Sequence, residues 1–355
     1  MNVNDKKLIA EIENDKIKYA VFGLNEKSNF ETLIKKTSTV KGIEKGKVID
    51  VDFASKIVSH DLKEIEEKIE GIFRNVSVII NQKEVLCTNL TGFKKLNGSK
   101  VEKRDVDYIL NEGKSSIIKN QNENIILHIL NSNFILDGVK QDKIPLNNFG
   151  DHLSLHMTFI SLAKENLKNI NIIFDNNNLK VDRVINKPFA CGIDLLSKDR
   201  NLKNFVIINF DEELSSYSLY ENSSLIFLKT FPFGTNSIYR DVTNLCSLEQ
   251  NEIKSIVNDL NFNDFLDKNA EYLDKKFFTE SDFEKISIPR LKNIITARIE
   301  EMVNYLLNKN KNYYSIENAV SNVYLFFEDE NIELPCFNRK MQTNDKEIIE
   351  STDQA

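Results

Sequence analysis

Between Phe205 and Phe233 the chain reads FVIINFDEELSSYSLYENSSLIFLKTFPF, three strand-forming runs joined by short polar turns, and this meander constrains the fold more than any other segment. Val206-Ile207-Ile208 predicts a buried strand, and Tyr217 to Tyr220 and Leu225 to Leu228 predict the next two, with Glu221-Asn222-Ser223-Ser224 turning between them. The first connection is Asp211-Glu212-Glu213-Leu214. A phosphate-binding hairpin of this frame carries glycines there, which let backbone N–H groups approach phosphate oxygens. Three carboxylates oppose an anion instead, each like-charge pair costing about 1 kcal/mol at 4 Å in water. They read as a solvated hairpin tip in preference to a metal site, and in either role the loop is no phosphate cradle.

With 355 residues, 41% of them hydrophobic and 28% charged, the chain buries a sizeable core and divides into more than one lobe. No apolar run reaches membrane-spanning length, and MNVNDKKLIAEI lacks a signal-peptide core, so the cytoplasm is the expected compartment. A net charge of -7, with lysines interspersed among acids, argues against nucleic-acid binding. Cys87, Cys191, Cys246 and Cys336 are far apart and show neither zinc-site nor disulfide spacing. His152 and His156 share an i, i+4 spacing, but the alternation around them predicts a strand with both on a solvated face.

Leu8 to Ile12, Tyr19 to Gly23 and Phe30 to Ile34 predict three opening strands, and Asp52 is the expected N-cap of a helix with Ile57, Leu62, Ile65, Ile69 and Ile72 on its apolar face. Val76 to Ile80 predicts a strand. A small α+β unit follows, with strands at Val85 to Thr91, Ile125 to Ile129 and Asn133 to Leu136 and a helix from Val106 to Ile118. Leu153 to Ser161 and Leu179 to Val184 are expected strands of the main lobe. Beyond Gly234 the pattern turns helical, ending in an amphipathic helix over Ile288 to Asn308, then a strand at Val323 to Phe327.

Three segments in collinear order resemble FtsA, the actin-like cell-division family: Gly42-Ile43-Glu44-Lys45-Gly46-Lys47-Val48-Ile49-Asp50, the helical stretch Val101 to Ile118, and Leu179-Lys180-Val181-Asp182-Arg183-Val184 leading to Ala190. The resemblance runs from about Leu8 to Glu333. It implies an α/β, actin-like (ribonuclease H-like) fold of two lobes. Residues 1–75 and 149–200 would form the first lobe (1A), 76–148 an inserted α+β subdomain (1C-like), 201–236 and 310–337 a truncated second lobe (2A-like), 237–309 a helical subdomain (2B-like), and 338–355 a disordered tail.

The departures from the family pattern fall on nucleotide contacts. The first phosphate turn corresponds to Glu11-Ile12-Glu13-Asn14, where Glu13 and Asn14 replace a glycine and a hydroxyl residue. The second corresponds to Asn209-Phe210-Asp211-Glu212-Glu213-Leu214, without the leading aspartate or any glycine. The adenosine motif ends here in Phe327-Glu328 in place of paired glycines. No catalytic residue and no cofactor are expected, ATP with magnesium binding only if these degenerate positions still hold it. One partner contact carries across: Arg298 and Glu301 match the pair through which the family binds the C-terminal peptide of FtsZ.

The resemblance thus implies a divisome scaffold linking the FtsZ ring to other division proteins without ATP hydrolysis, capable of self-association through the inserted subdomain. It would act at the cytoplasmic face of the inner membrane, which it would reach indirectly because the acidic tail lacks a basic amphipathic helix. The alternative is an ATP-binding protein of the same superfamily, such as a PilM-like pilus assembly protein.

Overall fold

The computed structural model describes residues 6–25, 30–141, 143–259, 271–310, 322–327 and 347–350. It divides into two compact units, residues 1–202 with 221–229, and residues 203–220 with 230–355.

The first unit opens with the meander β1 (Lys7–Glu13), β2 (Lys16–Leu24) and β3 (Phe30–Thr39), paired antiparallel in sequence order. A small hairpin, β4 (Ile43–Glu44) and β5 (Lys47–Val48), leads into α1 (Val51–Ile69). The Asp50 side chain, not Asp52, caps α1 by accepting from Phe53 N at 2.9 Å, while Asp52 lies in the first turn, where a carboxylate favours the helix dipole. Ala54, Val58, Leu62 and Ile65 bury the inner face of α1. β6 (Asn75–Ile80) then pairs parallel with β1, and β11 (Lys180–Asn186) parallel with β6, giving the order β11-β6-β1-β2-β3.

The inserted subdomain is a separate sheet. β7 (Leu86–Lys95), α2 (Lys103–Asn120), β8 (Asn124–Leu136), β9 (Val139–Gln141) and β10 (His152–Ala163) follow in sequence, the strands ordered β7-β10-β8-β9. Leu153, Leu155, Met157 and Phe159 project from one face of β10 into a core closed by Val106, Ile109 and Ile117 of α2. Two boundaries therefore differ from expectation. β6 belongs to the main sheet, and β10, expected there, is the central strand of the insertion, which occupies 81–163 in place of 76–148. Alternation shows that one face of a strand is buried, not which sheet buries it. The two strands expected between Ile125 and Leu136 are one strand with irregular register against β10. The chain returns through α3 (Lys164–Asp175), which packs on α1, then through β11 to α4 (Lys187–Lys198).

The other five-stranded sheet, most of it in the second unit, repeats the wiring. β12 (Phe205–Phe210), β13 (Ser215–Glu221) and β14 (Ser224–Phe231) form the second meander. α5 (Asn236–Cys246), α6 (Gln250–Asp259) and α7 (Ile288–Lys309) precede β15 (Asn322–Phe327), which pairs parallel with β12. The order β14-β13-β12-β15-β16 matches that of the first sheet strand for strand. The closing strand β16 (Glu347–Glu350) lies in the expected disordered tail and pairs parallel with β15.

One buried carboxylate organises the helical part of this unit. Glu252 of α6 is 1% exposed and accepts from the backbone N–H groups of Glu249, Glu280 and Ser281 at 2.8, 2.7 and 2.9 Å, and from the Ser281 hydroxyl. Burial pushes its pKa up, but the Ser281 hydroxyl and the three backbone donors outweigh this and hold it at about 2. A depressed folded pKa stabilises the protein above the unfolded value of 4.5 and ceases to do so as pH falls through about 2. Glu252→Gln, whose amide NH2 would face donors, is expected to cost on the order of 2 kcal/mol at neutral pH and to flatten the stability profile between pH 4.5 and 2. Thermal melts of both proteins across that range check this, and parallel profiles would refute it.

Candidate functional site

Of the residues expected at the first phosphate turn, Glu13 ends β1 opposite Lys16, leaving Asn14 and Asp15 as the hairpin turn. Asn14 takes φ 45, and its carbonyl accepts from Gly46 N at 2.8 Å, while the Asp15 carbonyl accepts from Val40 N at 2.7 Å. The segment leaving β3 thus folds back over the turn. Gly46 is required there: its φ is +74, and a Cβ would lie 2.8 Å from the Asn81 carbonyl. The fully buried Gln82 closes the far side, donating to the Gly46 carbonyl at 2.6 Å and accepting from Asn166 at 3.0 Å.

Charge is compensated internally. Glu13, 6% exposed, lies 2.9 Å from Lys18 Nζ, and Glu11 lies 2.9 Å from Lys187 Nζ at the start of α4. Burial pushes the Glu11 carboxyl up, yet the charge and hydrogen bond of Lys187, aided by Lys18, bring it below its ordinary value. The Lys187 ammonium is therefore held by carboxylates.

The acidic hairpin of the second unit is not a solvated tip. Asp211 is 3% exposed and Leu214 is buried beside it, Asp211 N donating to the Leu214 carbonyl at 2.8 Å. The segment leaving β14 folds over this turn too. Thr235 N donates to the Asp211 carbonyl at 2.8 Å, Asn236 N to the Glu212 carbonyl at 3.0 Å, and Asn236 Nδ2 to Glu213 Oε1 at 2.6 Å. Asn209, 2% exposed, donates across the hairpin to Ser216 Oγ at 3.2 Å. At the position matched to the family's adenosine motif, Phe327 stacks on Phe210 with ring centroids 5.1 Å apart. Glu328 lies outside the described residues. Among the described residues no cluster of His, Cys, Asp and Glu could hold a metal ion.

Arg298 and Glu301 do come together on α7, Nη1 to Oε2 at 2.7 Å. Arg298 Nε also faces Asp241 of α5 at 3.2 Å. The two helices frame a groove with Leu245, Ile294 and Ala297 as its apolar part, and Arg290, Asn293 and the Arg298 cluster as its polar part. Leu245 is 54% exposed, a leucine left open within the unit. Arg290 Nη2 donates to the Leu245 carbonyl at 3.2 Å, satisfying the C-terminus of α5.

Sequence reasoning singled out the two turns and the α7 pair but did not name Lys18, Lys187 or Asp241 as their ionic neighbours. Lys187 carried a signal, standing beside Pro188 at a helix start, where a cation gains nothing from the helix dipole and needs another reason to be there.

The closed second hairpin depends on Gly234, whose Cβ would stand 2.0 Å from the Asp211 carbonyl oxygen and 2.6 Å from that of Glu212. Both are backbone, so the two segments must part to admit a methyl group. Gly234→Ala is expected to destabilise the protein by about 2–4 kcal/mol, read as a fall in the denaturation midpoint. A midpoint unchanged from that of the natural protein would show the contact to be dispensable.

Residues 83–161 match the model for the SHS2 domain inserted in FtsA, in close agreement with the insertion seen here. Cell division protein FtsA of Borreliella burgdorferi is 23% identical over 249 residues, which are 69% of this chain and 60% of that protein. Cell division protein FtsA of Bacillus subtilis is 19% identical over 267 residues, 74% and 60% of the two chains. The chain thus spans about 60% of the length of these relatives. Among solved structures, the PilM–PilN type IV pilus biogenesis complex aligns with a TM-score of 0.59 at 11% identity, covering 92% of this chain and 82% of that one. The ethanolamine utilization protein EutJ from Carboxydothermus hydrogenoformans aligns at 0.51 and 10% identity, covering 98% and 85%. These two likenesses are of fold. The chain has the actin-like fold, and the family it resembles in sequence, including the SHS2 insertion, is FtsA.

Proposed function

We propose that this protein is an FtsA-like division protein that acts as a scaffold, binding the C-terminal peptide of FtsZ and other division proteins without hydrolysing ATP. The observation that carries the non-catalytic part is the closure of both phosphate turns by the chain itself. The carbonyls of Asn14, Asp15, Asp211 and Glu212 accept bonds from Gly46, Val40, Thr235 and Asn236, so each turn is covered by protein where a cradle would stand open. Partner binding rests on the α5/α7 groove, which offers a guanidinium beside an acceptor carboxylate and an exposed apolar strip. That chemistry suits a short peptide bearing apolar side chains and a terminal carboxylate. An isolated surface pair would contribute only about 0–1 kcal/mol to stability, so its interest lies in recognition. Among the described residues no helix is long and apolar enough to cross a membrane, which says nothing of a β-barrel.

Two titrations test the two parts separately. A fluorescent ATP analogue with magnesium is expected not to saturate up to about 1 mM, and micromolar saturation would overturn the non-catalytic reading. A labelled FtsZ C-terminal peptide is expected to bind, and Arg298→Glu to weaken it at least about tenfold, with a fall in thermal midpoint of no more than about 5 °C from setting a third carboxylate beside Asp241 and Glu301. Equal affinity for the natural and Arg298→Glu proteins would remove the groove from the proposal.

A further inference from the structure

The parallel strands β11, β6 and β1 begin at one end of the first sheet, and a cavity of about 190 Å³ lies there. Lys6, Lys7 and Arg74 line it together with Asn75, Ser77 and Asp182. Three cations thus meet one carboxylate, in a chain whose net charge is -7. Among the described residues neither Lys7 nor Arg74 forms an ion pair, with Asp182 or otherwise. Lys6 Nζ donates to a neutral partner, the Ile69 carbonyl at the end of α1, at 3.3 Å.

The segment between α1 and β6 sets an apolar group beside these cations. Ile72, expected on the apolar face of α1, lies beyond the helix, which ends at Ile69 with Glu70 as a left-handed cap at φ 54. Phe73, 6% exposed, turns inward, and its N–H donates to Glu66 Oε1 at 2.8 Å. Its neighbours Ile72 and Arg74 are turned outward, as alternate residues of an extended segment are. Ile72 is 75% exposed, the most exposed large apolar side chain among the described residues. A peptide anchor needs a concave apolar pocket. Here the concavity is charged and the apolar group protrudes, which suits a deformable anionic surface.

We propose that this end of the first unit is a contact site for an anionic membrane, a lipid headgroup phosphate entering the cavity between Lys6, Lys7 and Arg74 while Ile72 dips into the boundary between headgroups and acyl chains. The site goes beyond the scaffold role and needs neither the FtsZ peptide nor nucleotide. The cations supply attraction that salt screens, and Ile72 supplies apolar burial that salt does not. Asn75 and Ser77 offer neutral donors to the phosphate oxygens. Each signal is small by itself, so the contact is weak and reversible.

Vesicle sedimentation with the full chain tests the site. At low salt, partition onto vesicles of phosphatidylcholine and phosphatidylglycerol in equal parts is expected to exceed that onto phosphatidylcholine alone at least about tenfold, and to fall as salt rises toward about 0.5 M. Lys7→Gln/Arg74→Gln is expected to lower this partition at least about fivefold and Ile72→Ser at least about threefold, with thermal midpoints within about 3 °C of the natural protein because all three side chains are exposed. Lys100→Gln/Lys143→Gln, which removes two exposed lysines of the inserted subdomain, is expected to leave partition within about twofold. The sequence holds no tryptophan, so Ile72→Trp makes a single reporter whose emission is expected to shift to the blue on anionic vesicles. Equal partition onto the two kinds of vesicle, a Lys7→Gln/Arg74→Gln loss no larger than that of Lys100→Gln/Lys143→Gln, or unshifted emission from vesicle-bound protein would each overturn the proposal. So would displacement by inorganic phosphate beyond that by sodium chloride of equal ionic strength, which would assign the cavity to a free anion.

Discussion

The parallel pairing of β6 with β1 is the constraint on which the first unit depends. Parallel neighbours cannot be joined by a tight turn, so the chain must cross over between them, and α1 makes that crossing with a capped start and one buried face. The second parallel step, from β6 to β11, needs a crossover too. The insertion enters this one, leaving after Ile80 and returning at Lys164, so a whole second sheet is accommodated without interrupting the first. The same logic governs the second sheet, where α5, α6 and α7 are the α-helices among the described residues of the crossover from β14 to β15. Strand order coincides in the two sheets although the sequence shows no repeat of fixed period, because wiring constrains hydrogen bonding and burial far more than residue identity.

A meander turn beside a parallel strand is the place where this architecture meets a ligand or closes on itself, and the choice is set by a few atoms. Glycines keep N–H groups bare and approachable. Here the residues are glutamate, asparagine and aspartate, and the carbonyls of both turns are bonded to a segment that follows the third strand of its meander. Glycines do matter in the covering segments. Gly234 lets its cover approach the turn within a distance that a Cβ would forbid, and Gly46 takes a positive φ with the Asn81 carbonyl where a Cβ would stand.

Much of this was legible in sequence, and the failures share a cause. Strands and amphipathic helices appeared at the expected places because burial repeats with period 2 or 3.6 whatever the tertiary context. The departure from the glycine pattern was legible at Glu13 and at Asp211 to Glu213 because it needs only residue type. The insertion's limits were not, since β10 alternates as it would in either sheet. Nor was the burial of Asp211, which depends on where Thr235 and Asn236 return, some twenty residues later along the chain. Ion partners such as Lys187 for Glu11 lie on different elements, and no spacing rule pairs them.

The two units close their turns by unlike means, and the difference has physical consequences. In the second unit the cover is mainly backbone hydrogen bonding, N–H to carbonyl, with Asn236 Nδ2 to Glu213 Oε1 added. Such contacts respond little to salt. In the first unit backbone bonding is joined by the ion pairs of Glu13 with Lys18 and of Glu11 with Lys187, and Lys18 and Glu11 are exposed enough to feel ionic strength. The ion pairs of the first turn are therefore open to screening by salt. The closure of this turn is also tied through Asn186 and His128 to the inserted subdomain, so a change in how that subdomain sits on α4 reaches Lys187 directly. Burial pushes the His128 pKa down to about 4, which keeps the ring neutral, with Nε2 free to accept from Asn186 at ordinary pH. A neutral histidine thus transmits position without adding charge beside Lys187.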